Sequence, residues 1–207
     1  MLLTSSAIIE DIKQMRIPRS ALVAYYYFDF MDTAKRNIRG LLTSLLLQLV
    51  DDSDSCWGLL SQLHKACRDG LEQPSGAALT QCLKSMLDLP GQLPTYILID
   101  ALDECPNRTG TPSAREKVLN FVEGLVKSSR PNLFICITSR PEQDITAILN
   151  PLASPSRRMS LHEEAGQRED INDYIRSFIQ SDRAMRGWRT EDKELVINVL
   201  SERANGT

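Results

Sequence analysis

The stretch Tyr96-Ile97-Leu98-Ile99-Asp100-Ala101-Leu102-Asp103-Glu104 decides the fold. Its apolar half follows the stop signal Pro90-Gly91 and ends in acid, the pattern of a short strand buried on both faces. Strands of that kind belong to parallel sheets with helices on either side. Ligands in such sheets bind beyond the carboxyl ends of the strands, which is where Asp100, Asp103 and Glu104 fall. A carboxylate at the end of a rigid buried strand is placed to hold Mg²⁺, directly or through water, beside a nucleotide phosphate. A second acid three or four residues on can orient or deprotonate a water. The three acids lie within five residues and repel one another, and a divalent cation relieves that repulsion. A strand ending in an ordinary solvated acidic turn leaves the same short signature.

A second strand end adds to the first. Phe134-Ile135-Cys136-Ile137 runs into Thr138, Ser139 and Arg140, forty residues after Asp100. An arginine at a strand end, over the same crevice as the acids, can stabilise γ-phosphate charge. As an isolated residue it would be a surface arginine in an ordinary ion pair.

Outward from these two ends the periodicities alternate. Met1 to Met15 reads as a helix limited by Pro18, and Leu22–Phe28 as a buried strand rich in β-branched and aromatic residues. Helical spacing of apolar residues covers Thr33 to Val50, Cys56 to Cys67, Ala77 to Asp88 and Lys117 to Val126. Tyr96–Ile99 and Leu133–Ile137 are the other principal strands, and Met159 to Leu161 is a short candidate. From Asp170 onward the pattern is helical only. The order β-α-α-α-β-α-β predicts an α/β fold, a three-layer sandwich around a parallel sheet, followed by a helical segment. The expected division is a nucleotide-binding core over 1–168 and the start of a helical region over 169–207.

Composition narrows the function classes. The chain has 207 residues, 42% hydrophobic and 25% charged, ordinary values for a globular protein with a sizeable core. Twenty-four basic against 27 acidic residues give a net charge of -3, so no global field favours nucleic acid or an anionic membrane. The one local basic pair is Arg157-Arg158. Five cysteines without a CxxC pair argue for a reducing, cytoplasmic compartment and against a disulfide framework or zinc site. His64 and His162 lie far from any motif. No apolar stretch approaches a membrane span, and no secretory leader pattern opens the chain.

The segments ILIDALDEC and FICITSRPEQDI closely resemble the Walker B and sensor 1 segments of NACHT domains, which belong to the STAND class of P-loop NTPases. The nearest flavour is that of fungal NLR-like proteins with a nephrocystin-type N-terminal domain. The resemblance covers nearly the whole chain. SSAIIEDI resembles the helix after Walker A, YYYFDF the second strand, GLLTSLLLQLV the helix after it, and DKELVINVLSERANG the helical region beyond sensor 1. By this resemblance Asp100 would be the Mg²⁺-coordinating acid and Ala101 the small residue after it. Asp103 and Glu104 would be the distal acids linked to hydrolysis, and Arg140 the sensor 1 arginine that meets the nucleotide. The family also implies ATP or GTP with Mg²⁺, self-association, flanking effector and repeat domains, and signalling roles such as non-self recognition or programmed cell death.

The chain departs from the family in one respect. NACHT domains begin with a strand and a GxxxxGKS/T loop whose amides and lysine hold the phosphates, and no Gly-Lys dipeptide occurs here. The expectation is therefore a NACHT domain truncated before the end of Walker A, with little or no nucleotide turnover. In the family the missing strand is expected to lie between the Walker B and sensor 1 strands, so its loss would leave their ladder groups unpaired or forced together. A non-catalytic interaction module that keeps a degenerate NTPase fold is the alternative. An NTPase with a different phosphate loop is a third reading, opposed by the shortage of glycine.

Overall fold

The computed structural model describes residues 21–51, 53–107, 111–160, 165–182, 185 and 187–204, without side-chain detail at 34, 165–172 and 201–204. The expected N-terminal helix, Met1 to Met15, lies outside the described residues. Contacts divide the chain after Leu152 into two compact units.

The first unit holds strands β1 (Leu22–Tyr27), β2 (Thr95–Asp100) and β3 (Leu133–Ile137). They form one parallel sheet in the order β1-β2-β3. Its helices are α1 (Ile38–Asp51), α2 (Asp54–Ala66), α3 (Gly76–Leu87), α4 (Ala114–Lys127) and α5 (Gln143–Leu149). A short 3-10 turn at Leu102–Glu104 follows β2. The parallel α/β reading therefore holds, and all three principal strands fall where their apolar runs predict.

The strand order decides between the two outcomes for the ladder groups, unpaired or forced together. β2 and β3 pair directly, from Thr95 opposite Leu133 to Ile99 opposite Ile137, with no strand between them. The ladder also runs past both ends: Thr95 N donates to Asn132 O at 2.7 Å, and Leu102 N to Thr138 O at 3.1 Å. The ladder groups of the two strands are thus brought together rather than left unpaired. Among the described residues no strand pairs with the far edge of β3.

Side-chain alternation gives the sheet two unlike faces. Leu22, Ala24 and Tyr26 of β1, Ile97 and Ile99 of β2, and Leu133, Ile135 and Ile137 of β3 face the main core. That core is closed by Leu41, Leu42, Leu45, Leu46 and Leu49 of α1, by Leu83 and Met86 of α3, and by Val118, Leu119, Val122 and Leu125 of α4. Each fully buried leucine contributes roughly 2–3 kcal/mol of transfer free energy. The opposite face carries Val23, Tyr25, Tyr27, Tyr96, Leu98 and Cys136, of which only Val23 and Leu98 are buried. Tyr96 stacks on Phe134 with ring centroids 4.9 Å apart. The described helices of the first unit pack on the main-core face, so the second helical layer of the expected three-layer sandwich is not seen among that unit's described residues. The outer edge of β1 is closed by a side chain: Gln48 of α1 accepts from Tyr25 N at 3.1 Å and donates to Tyr25 O at 2.8 Å, as a neighbouring strand would.

Helix starts are set by serine caps that apolar periodicity alone overlooks. Ser53 and Ser75 accept from Cys56 N and Ala78 N. Ser113 and Glu116 form a reciprocal capping box. That box starts α4 at Ala114, three residues before the first residue of the expected helix. The segment 143–149, not anticipated as helix, is α5, with Ile145 buried in the main core.

The second unit contains α6 (Ala165–Ser181) and α7 (Thr190–Ala204), which pack on each other. Ile179 and Ile197 are buried, and Arg176 pairs with Glu194 at 3.2 Å. The helical tail is thus as expected. Residues 158–160 have no regular structure, so the candidate strand at Met159 is not formed there. Leu161 lies outside the described residues. No described helix is long and apolar enough to cross a membrane.

Candidate functional site

The register of β2 and β3 builds the site. Ile99 faces Ile137, so Asp100 and Thr138 come next on adjacent strands, on the same face and at the same height. Thr138 Oγ1 donates to Asp100 Oδ1 and accepts from Ala101 N at 3.1 Å. Asp100 is 4% exposed. Burial pushes the Cys136 thiol and the Tyr27 hydroxyl above their ordinary values. The Asp100 charge adds to both shifts, after Tyr25 in the case of Tyr27. Both neighbours therefore stay protonated near neutral pH.

Immediately after Asp100 the chain turns sharply. Ala101 takes the left-handed conformation, φ 53° and ψ 46°, a strained position for a residue with a Cβ. The 3-10 turn then carries Asp103 and Glu104. The Asp103 side chain, 8% exposed, accepts from Arg140 N at 3.0 Å and lies 3.5 Å from Arg140 Nε. The Arg140 side chain is 77% exposed. Glu104 accepts from Phe30 N at 3.2 Å, joining the turn to the loop after β1. The four residues singled out from the sequence thus occupy the carboxyl edge of one sheet. Asp103 meets Arg140 directly, Asp100 meets Thr138, and Glu104 reaches toward β1.

Two participants are not legible from motif reading. Thr138 looks like the polar end of a strand, and its bridging role depends on the β2–β3 register. Arg115, in the first turn of α4, is 4% exposed. Its guanidinium donates to Cys105 O at 2.8 Å, to Asp103 O, to Glu142 Oε2 and to Asp144. A basic residue in the first turn opposes the helix dipole, and that oddity is the only local signal it leaves.

The donors suit a hard cation. One buried carboxylate with a neighbouring hydroxyl matches the way Mg²⁺ is held, by one or two carboxylates with water and phosphate oxygens completing the shell. Among the described residues no group of three or more His, Cys, Asp or Glu could hold a metal, so such an ion would take most of its ligands from phosphate and water.

Fold and site together define a parallel α/β protein whose polar groups collect at the carboxyl edge of the sheet. Residues 3–140, about two thirds of the chain, match the family described as nephrocystin 3, N-terminal. The chain belongs to that family. It is also similar to the vegetative incompatibility protein HET-E-1 of Podospora anserina, 28% identical over 209 residues. That alignment takes in 97% of this chain but 14% of the relative, so the chain spans about one seventh of that protein's length. No solved structure matches the chain.

Proposed function

We propose that this chain is the Walker B and sensor 1 part of a NACHT-type nucleotide switch in an NLR-like signalling protein, reading ATP or GTP with Mg²⁺. The observation that carries the reading is the joining of Asp103 to Arg140 beside the Asp100–Thr138 pair, at the edge of the sheet where α/β folds bind ligands. Asp100 would hold Mg²⁺, with Thr138 fixing the rotamer of its carboxylate. When bound there, the cation would supply charge neutralisation to the phosphates. Asp103, turned toward Arg140, aims that arginine at the terminal phosphate. Glu104, whose side chain accepts from Phe30 N, is the better placed of the two acids to orient a water. The resemblance to an incompatibility protein supports a signalling role, with self-association and flanking effector and repeat domains as its partners, in a cytoplasmic setting that suits five free cysteines.

Phosphate affinity in P-loop proteins rests on loop amides and a lysine, and this chain has no Gly-Lys dipeptide. Carboxylates alone repel phosphate, and several missing charge-assisted hydrogen bonds at roughly 1.5–3 kcal/mol each lower affinity by orders of magnitude. The test is calorimetry with Mg²⁺-ATP and Mg²⁺-GTP, on this chain and on a form extended at its N-terminus by a strand and a GxxxxGKS/T loop. Weak or no binding by the first and micromolar binding by the second is expected, with Asp100→Asn removing the Mg²⁺-dependent part. An extended form that binds neither nucleotide would overturn the reading in favour of a non-catalytic interaction module.

A further inference from the structure

The contacts of Arg115 close a ring. Its guanidinium donates to the backbone oxygen of Asp103. The Asp103 carboxylate accepts from Arg140 N at 3.0 Å. Arg140 O in turn accepts from Glu142 N at 2.8 Å. The Glu142 carboxylate returns to Arg115 Nη1, with Asp144 alongside at 3.3 Å. A further bond to Cys105 O at 2.8 Å anchors the guanidinium on the far side of the acidic turn. Both loops that carry the candidate site, one after β2 and one after β3, are thereby tied to a single cation on α4.

Burying an arginine is costly unless each donor direction finds an acceptor. Here the side chain is 5% exposed, and its partners are two carbonyls of one loop, the carboxylate of Glu142 at the end of the other, and that of Asp144 in the first turn of α5. The flat fork of guanidinium can reach both sets at once, and a lysine ammonium is a single point charge without that span. Helix stability does not call for a cation at this position, since a basic residue in the first turn meets the positive end of the dipole. We propose that Arg115 is a positioning residue, which fixes the Asp103–Glu104 turn against the Arg140 loop by closing this ring. As a statement about a nucleotide site it rests on the reading in the preceding subsection. The ring itself can be tested without nucleotide.

Amide hydrogen exchange by NMR on the chain reads the ring at Arg140 N. Arg115→Met keeps the length of the side chain and removes every donor. It should speed exchange at Arg140 tenfold or more, while amides inside the β1–β2 ladder, such as Ile97, keep their protection. Arg115→Lys should recover only part of the loss. If Arg115→Met does not fold, Glu142→Gln with Asp144→Asn opens the ring at its more exposed joint and should release Arg140 N selectively. Unchanged exchange at Arg140, or an equal rise at every amide, would assign Arg115 a purely structural role and overturn the proposal. In the nucleotide-binding extended form, the same variants should weaken Mg²⁺-nucleotide binding more than Mg²⁺-free binding. An extended form that binds no nucleotide removes the nucleotide reading, and the exchange result still decides the ring.

Discussion

Replacing Thr138 by valine tests the joint between β2 and β3 with almost no change of shape. Valine keeps the β-branch and the strand preference of threonine, so neither cavity nor overpacking complicates the outcome. Two hydrogen bonds are lost. The bond to Asp100 Oδ1 is charge-assisted and contributes about 1.5–3 kcal/mol. The bond from Ala101 N, at 3.1 Å, contributes about 0.5–1.5 kcal/mol. Ala101 is only partly buried, and water can satisfy part of what its amide loses. The expected cost is therefore about 2–3 kcal/mol, a substantial share of a typical total of roughly 5–15 kcal/mol. For a domain of this size that corresponds to a fall in Tm of roughly 4–12 °C. Urea unfolding followed by far-UV circular dichroism should show a lower midpoint at unchanged slope. Thr138→Ser keeps the hydroxyl and should cost about 1 kcal/mol or less, mainly for its lost methyl. A valine variant within about 0.5 kcal/mol of the parent, or a serine variant as damaged as the valine one, would refute the bridging role.

Two other outcomes follow from particular residues. At Ala101, held at φ 53°, glycine should be neutral or stabilising by up to about 1 kcal/mol in urea unfolding, and valine destabilising by more than about 1 kcal/mol. The Asp88–Arg130 pair predicts a pH dependence. Arg130 donates to both carboxylate oxygens at 2.6 and 2.7 Å and holds Asp88 below its ordinary 3.8, against a smaller opposing effect of burial. A depressed folded value gives stability that is present above the unfolded pKa and lost as pH falls through the folded one. Asp88 is over half exposed, so Asp88→Asn should cost only about 0.5–1 kcal/mol near neutral pH. The difference between the two proteins should close in unfolding titrations as the pH falls below the ordinary 3.8 and through the depressed folded value.

Much of this protein could be read from local pattern. Tyr96–Ile99 and Leu133–Ile137 announce strands because burial on both faces demands continuous apolar runs, and α1 announces itself through Leu41, Leu42, Leu45, Leu46 and Leu49. The acids of the β2 end and Arg140 at the β3 end were equally visible, because the carboxyl edge of a parallel sheet is where polar residues can follow buried ones. The start of α4 was legible too, in the Ser113-to-Glu116 spacing of a capping box, although apolar periodicity alone sets it three residues late. Strand order was not legible. Which strand lies beside which depends on contacts between residues far apart in the chain, and no local periodicity encodes it. Direct pairing of β2 with β3 puts Thr138 opposite Asp100, a relation their separation of 38 residues does not suggest. The place of Arg115 was hidden for the same reason. In sequence it is one more charged residue at a helix start, and only folding brings two carbonyls and two carboxylates around its guanidinium. Local propensity determined the elements and the chemistry at their ends, and the tertiary structure decided which of those ends touch, because a buried polar group must find its partners wherever the packed chain supplies them.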